Sequence, residues 1–249
     1  MFCRHKFPAN GKMPRGIPVA VVDIKENIAR VLERIAAACL RSGRRPEEMR
    51  LVAISKTVPP ERIREAYEAG LREFGENRVQ EGKAKRPALS DLSVTWHLVG
   101  HLQTNKAKAA RELFHWVHSL DSLHLAEKLH QAAPASGERL PVLIEVNLGE
   151  EASKTGVRAA EVLPLAEQVS RLEALQLCGL MVIPPFLGNP EQVRPYFRRL
   201  RELAREIESK NLPGVFMREL SMGMSHDFEV AIEEGATMVR VGTAIFGPR

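Results

Sequence analysis

Cysteine, aromatic residues and long apolar runs are all scarce in this chain, and each shortage removes a class of protein. The cysteines are three and widely spaced: Cys3, Cys39 and Cys178. An odd set without close pairs gives neither a disulfide framework nor a zinc pattern, and it suits a reducing, cytoplasmic setting. Aromatic residues make up only 5% of the 249, and the basic residues are scattered among acids rather than gathered into a stripe. A nucleic-acid surface would show the opposite, so no nucleic-acid partner is expected. No segment approaches the ~20 apolar residues that span a bilayer. The basic, polar start MFCRHKFPANGKMPRG has no signal-peptide core either, so no membrane partner is expected. His115, His118, His124 and His130 lack carboxylates at metal-ligand spacing, so no metal is expected.

The remaining composition is that of an ordinary globular protein, 44% hydrophobic and 27% charged. Lys plus Arg is 36 against 31 for Asp plus Glu, a formal charge of +5. That mild excess helps to attract a phosphorylated ligand. Residues 1–20 read as a loose extension, with Met13 as an alternative start, and 21–249 as one domain with no hydrophilic linker. Asp23 and Glu26 open a helix in capping-box style. Ile24, Ile28, Val31, Leu32, Ile35 and Cys39 continue it at helical spacing to about residue 41. Strand and helix then alternate. The strands are predicted at 51–55, 73–75, 94–99, 116–119, 142–148, 177–183, 219–222 and 238–241. Helices are predicted at 61–69, 79–86, 105–113, 123–133, 159–172, 190–210 and 227–234. Eight strands and seven intervening helices predict an α/β fold, a single (β/α)8 TIM-type barrel with an extra N-terminal helix. An open doubly wound sheet is the alternative, but its first turn is usually glycine-rich, and SKTVPP is not.

In such a barrel the C-terminal strand ends share one site. The first strand, LVAIS, is apolar without alternation, as for a strand covered on both faces, and it delivers Lys56 to that edge. A lysine among apolar neighbours loses hydration and becomes a better nucleophile, suited to a Schiff base. Equally, a strand-end lysine can extend to water and do nothing. Further round the rim come Glu76 and Asn77, then Gly100, His101 and Gln103, then Asp121, then Asn147 and the loop EEASKTG. The last two ends, SMGMS (221–225) and GTAIFG (242–247), are built of small residues that let backbone N–H groups approach an anion. The loops after strands seven and eight are a frequent phosphate site in these barrels. Arg240, inside the eighth strand, needs a buried partner, either Glu145 or a ligand. His97 reads as a hydrogen-bonded barrel histidine, Lys154 as a loop lysine, Cys178 as a small core residue and the arginines of 198–205 as a solvated helix face.

Taken together, AISKT, FGENRVQE, WHLVGHLQTNK, SLDS, IEVNLGEEASKTG, GLMVIPP, LSMGMSHDFEVAI and GATMVRVGTAIFG resemble the pyridoxal phosphate homeostasis family (YggS/PROSC), which is similar in fold to the N-terminal barrel of alanine racemase. The resemblance runs from about residue 24 to the end. It implies that Lys56 carries pyridoxal 5′-phosphate (PLP) as an internal aldimine, with Asn77 near the ring. It implies that Ser221, Gly223, Met224 and Ser225, with Gly242 and Thr243, hold the phosphate. Arg240 would face the pyridine nitrogen. The chain departs from the family pattern at His101, where lysine or proline is usual, at His226, where aspartate is common, and at Arg78, where tyrosine is common.

Arginine is charged and only donates, so at the pyridine nitrogen it would leave that atom unprotonated and the electron sink weak. Racemization in the related enzyme also needs a tyrosine from another domain. The only tyrosines here, Tyr67 and Tyr196, fall on predicted helices, and the chain stops just past the barrel. The expectation is therefore a non-catalytic, monomeric PLP-binding protein with no catalytic residue, serving apo-PLP enzymes as acceptors. An amino-acid racemase-like enzyme is the alternative. A cofactor-free Schiff-base aldolase, with Glu76 or Asp121 as acid/base, is a third reading.

Overall fold

A computed structural model describes residues 23–149 and 155–248; the extension expected at 1–20 and Lys154 lie outside them. Among the described residues nine strands form one sheet: β1 (Arg50–Ile54), β2 (Glu73–Glu76), β3 (Thr95–Leu98), β4 (Trp116–Leu120), β5 (Leu140–Asn147), β6 (Val157–Arg158), β7 (Leu175–Val182), β8 (Val215–Met224) and β9 (Met238–Val241). Every pairing is parallel. Pairing of β4 with β5, and of β1 with β9, closes eight of the strands into a barrel. The ninth, β6, had no counterpart in the sequence reading. Its two residues pair with Val146 and Asn147 of β5, on the edge that β4 leaves free after Leu120 and Ile144.

The strands are separated by α2 (Pro60–Glu68), α3 (Val79–Lys85), α4 (Ala107–Leu113), α5 (Leu123–Gln131), α6 (Val162–Val169), α7 (Arg194–Glu208) and α8 (Phe228–Glu233), with α9 (Thr243–Phe246) after β9. Most of the apolar core lies between these helices and the outward faces of the strands, where Phe74, Trp96, Leu98, Val117, Ile144, Val182, Leu220 and Val239 are buried. The barrel interior holds a smaller apolar layer of Leu143, Cys178, Met181 and Met238, with Trp116 against it. Cys178 is thus a core residue, as expected. No helix among the described residues is long and apolar enough to cross a membrane.

The extra helix α1 (Ile24–Arg41) starts where the Asp23 side chain accepts the Glu26 N–H at 2.9 Å, which satisfies one of the otherwise unpaired amides of a first turn. Ile24, Ile28, Val31, Ile35 and Cys39 form its buried stripe, whereas Leu32 is exposed. That stripe packs across α8 and α9. Asn27 Nδ2 donates to the Ile245 carbonyl at 2.9 Å, and Arg34 holds Glu229 with two bonds of 3.0 and 2.9 Å. So α1 braces the two helices that follow the small-residue loops. On α7, Arg194, Arg198 and Arg201 converge on buried Glu234 beside α8. The arginine face expected to be solvated is therefore in part a docking face.

Candidate functional site

Alternation along β1 sorts its two faces. Ala53 belongs to the outer shell, while Val52 and Ile54 form a small inward cluster with Val99. Lys56 follows two residues past Ile54, in the turn at the C-terminal end of β1, where it is half-buried. Register sets its neighbours. Ile54 pairs with Gly75, which brings Asn77 of the next strand level with Lys56. On the other side Val52 pairs with Arg240 and Ala53 with Val241, so Gly242 and Thr243 leave the adjacent strand beside it. The Asn77 backbone is crossed closely by the β3 end. A Cβ at Gly100 would lie 2.4 Å from the Asn77 carbonyl oxygen, so only glycine fits that turn.

The last two strand ends meet at one oxygen. Ser225 Oγ accepts the backbone N–H groups of Gly242 and Ala244, both at 3.3 Å. Thr243 between them is exposed. Two long bonds to one hydroxyl leave these amides free to turn to a stronger acceptor, and small residues keep the approach open. Gly223 has another role. Its φ is +90°, and a Cβ would meet Phe228 Cα at 2.8 Å and Ala231 Cβ at 2.6 Å. Glycine there lets α8 close onto β8.

Ser221, Gly223 and Met224 are strand residues, because β8 runs to Met224 rather than stopping at 222. The Met224 N–H already donates to Asp227 Oδ1 at 2.6 Å. Ser221 is wholly buried, and its hydroxyl is bonded to His118 Nδ1 at 2.9 Å and to Arg240 Nη1 at 2.6 Å. The phosphate contacts implied for Ser221 and for the Met224 amide therefore meet groups that already have partners. Arg240 is 4% exposed, and its second donor, Nη2, reaches the Val182 carbonyl at 2.9 Å. It makes no ion pair with Glu145, whose Oε1 accepts instead from Thr155 Oγ1 at 2.6 Å. Burial lowers Arg240 to about 10 against the attraction of Asp227 and Glu145. Burial likewise raises Glu145, and Thr155 only partly offsets this.

A second buried cluster lies behind Lys56. Glu76 is fully buried and Oε1 accepts from Ser55 Oγ and Lys85 Nζ, both at 2.7 Å. Lys85 Nζ also holds the Ser55 carbonyl at 2.6 Å, and so fixes the peptide that carries Lys56. Burial pushes the Glu76 carboxyl up to about 7, helped by a hydrogen bond to Glu81 and opposed by Lys85 and Ser55. This carboxyl faces the helix layer, so it does not serve as the acid/base that a cofactor-free Schiff-base reading requires. Asp121, the other group considered for that role, is paired with His101 at 3.1 Å on the rim.

Sequence reasoning missed two members of this region. His118 is completely buried and contacts His97, its Nε2 lying 2.9 Å from His97 Nδ1. Lys85 is 8% exposed on the inner face of α3, with Val79 and Gly82. The Val79–Gly82–Lys85 spacing was the available signal for Lys85. For His118 it was the alternation in WVHSL, where Val117 faces the shell.

The brought-together set is thus Lys56, Asn77, Ser225, Gly242 and Thr243 at the mouth, with Arg240 and Ser221 one layer below. The model of the alanine racemase N-terminal domain matches residues 25–249. Among curated proteins, the pyridoxal phosphate homeostasis protein of Aquifex aeolicus is 51% identical over 224 residues, covering 90% of this chain and 97% of that one. The protein of the same name from Escherichia coli K12 is 45% identical over 230 residues, covering 91% and 97%. Among solved structures, PipY of Synechococcus elongatus PCC7942 with PLP bound is 42% identical, with a TM-score of 0.79 over 90% of this chain and all of that one. An alanine racemase of Clostridium difficile 630 shares the fold at 14% identity and a TM-score of 0.68, covering 90% and 57%. With its strand-end lysine, its paired small-residue loops and relatives of this likeness, the chain belongs to the pyridoxal phosphate homeostasis family, built on the barrel of the alanine racemase N-terminal domain.

Proposed function

We propose that this protein is a non-catalytic carrier of PLP that buffers the cofactor or delivers it to apo-enzymes, and so keeps vitamin B6 and amino- and keto-acid levels steady. One observation carries the reading: the amides of Gly242 and Ala244 converge on Ser225 Oγ beside β1, the strand that leads into the turn bearing Lys56. The donor set fits the group. An amine stands ready for an aldehyde, two backbone amides with Ser225 and Thr243 for a phosphate, and a buried guanidinium for a ring nitrogen. The bound PLP of PipY and the names of the curated relatives support the same assignment.

When bound, this cofactor supplies an electron sink for bonds at the α-carbon of an amino acid. Two features of the chain work against using it. Arg240 can only donate, so it favours an unprotonated ring nitrogen and a weaker sink. Tyr67 on α2 and Tyr196 on α7 pack against the outer shell, so neither stands at the mouth as a second base. Incubating PLP-loaded protein with L-alanine and L-serine is expected to give no significant turnover. Mixing it with an apo-PLP enzyme is expected to restore that enzyme's activity. Racemization that disappears in Lys56→Ala would overturn the carrier reading in favour of a racemase-like enzyme.

A further inference from the structure

Five side chains from five strands make one line through the barrel interior. Glu73 Oε2 on β2 lies 3.0 Å from His97 Nε2 on β3, within ion-pair range but out of line for a hydrogen bond. His97 Nδ1 and His118 Nε2 on β4 are 2.9 Å apart, and His118 Nδ1 is 2.9 Å from Ser221 Oγ on β8. Ser221 Oγ accepts from Arg240 Nη1 on β9 at 2.6 Å. His97, His118 and Ser221 are fully buried. We propose that Glu73, His97, His118 and Ser221 are positioning residues: a one-directional hydrogen-bond chain between Arg240 and His97, with the Glu73 carboxylate facing His97 Nε2 as its charged end, that fixes the Arg240 guanidinium as a donor toward the mouth. The proposal rests on the reading above, in which Arg240 meets the ring nitrogen of the bound cofactor.

The direction follows from the chemistry of the two ends. Guanidinium has no acceptor, so Ser221 must accept from Arg240. A hydroxyl can accept twice, so this end alone leaves His118 open; the chain assigns the Ser221 proton to His118 Nδ1, and the carboxylate end decides it. A neutral imidazole that accepts at Nδ1 carries its proton on Nε2, so His118 donates to His97 Nδ1. The same logic puts the His97 proton on Nε2, facing Glu73. A carboxylate only accepts, so the far end agrees with the near one. Burial lowers both imidazoles and keeps them neutral. At Glu73 burial acts upward, but His97 and Arg50 together outweigh it and hold the group below the usual carboxylate range.

Packing holds the rings in these planes. Trp116 stacks on His97 at 6.0 Å and 15° and meets His118 edge-on at 6.3 Å. The Arg50 guanidinium covers the other part of Trp116 at 4.7 Å and pairs with Glu73 at 2.8 Å. With Nη1 on Ser221 and Nη2 on the Val182 carbonyl, Arg240 is gripped at both ends of its fork, and its remaining donors are left for the mouth. Without the chain, the buried guanidinium loses an acceptor and with it a defined orientation.

The test has two arms. In 15N-labelled, cofactor-free protein, long-range 1H–15N correlations should show His97 and His118 both as Nε2–H tautomers, with that of His118 lost in Ser221→Ala. An Nδ1–H tautomer at His118 in the unaltered protein would overturn the proposal. In PLP-loaded protein, His118→Leu and Ser221→Ala should shift the visible absorbance maximum and lower cofactor retention roughly tenfold, the scale of one hydrogen bond to a charged group. His118→Gln, whose amide can accept and donate at similar positions, should restore both. A spectrum and retention unchanged in His118→Leu and Ser221→Ala would overturn the proposal while leaving the carrier reading intact. Ser221→Ala removes a single hydroxyl and serves should His118→Leu fail to fold. A borohydride-stable adduct on Lys56 of the unaltered protein reports the carrier reading separately, and the tautomers decide the chain without it.

Discussion

Along β3, Trp96 and Leu98 turn outward into the apolar shell beneath the helices, while His97 between them turns inward to His118. The same division recurs on β9, where Val239 and Val241 face the shell and Arg240 faces Ser221. On these two strands the outward face is dry and interchangeable in kind, while the inward face carries a polar group with a specified partner. Shell residues contribute stability in proportion to the apolar area they bury. Interior polar groups contribute little net stability, because desolvation offsets their bonds, yet removing one partner strands the other. The difference teaches that folding and function are written at alternate positions of the same strands.

Variants that treat the two faces separately test this division. The largest effect is expected in the shell: Phe74→Ala, at a fully buried site, should cost about 3–5 kcal/mol in urea unfolding. Its PLP retention should stay near normal wherever the protein is folded. The converse holds at the mouth. Ser225→Asp and Thr243→Glu should each reduce PLP retention at least ~10-fold in equilibrium dialysis, by charge repulsion, with little change in unfolding. Unchanged affinity would mean that the phosphate lies elsewhere.

A smaller effect, with a definite sign, is expected behind Lys56. Glu76 titrates near 7 in the folded protein against an ordinary value of 4.5. A carboxyl whose folded value is raised binds more protons folded than unfolded between those two limits. Its contribution is therefore full below about 4.5 and is lost as pH rises through about 7. Glu76→Gln should flatten that part of the stability profile, measured by unfolding across the range. The smallest effect belongs to the exposed pairs. Arg199→Ala, which breaks contacts to Glu202 and Glu206 on the surface of α7, should leave the unfolding midpoint unchanged because solvent screens such pairs.

The two faces also differ in how legible they were from sequence. Shell positions repeat, so all eight barrel strands and the helices between them could be read from apolar runs and helical spacing. Boundaries slipped where the repeat is weak. Val215–Met217 opens β8 with half-exposed residues, and 190–193 form a 3-10 turn before α7 rather than its first turn. Lys56, Asn77, Gly242 and Thr243 could be placed at the C-terminal strand ends because strand ends and small-residue loops leave local marks. The pairing along the line from Glu73 to Arg240 leaves none. His97 and His118 are 21 residues apart, and His118 and Ser221 103 apart; only closure of the barrel brings them together. For the same reason the sequence offers Arg240 either Glu145 or a ligand, whereas β8 presents Ser221 to it.

The central claim is that Lys56 projects into the mouth and holds an aldehyde whose phosphate rests on the last two loops. Mass spectrometry of PLP-loaded protein after borohydride reduction and digestion tests it most directly. The account predicts one pyridoxyl adduct, on the peptide containing Lys56, and none in Lys56→Ala. An unmodified Lys56 with the adduct on another lysine would contradict it.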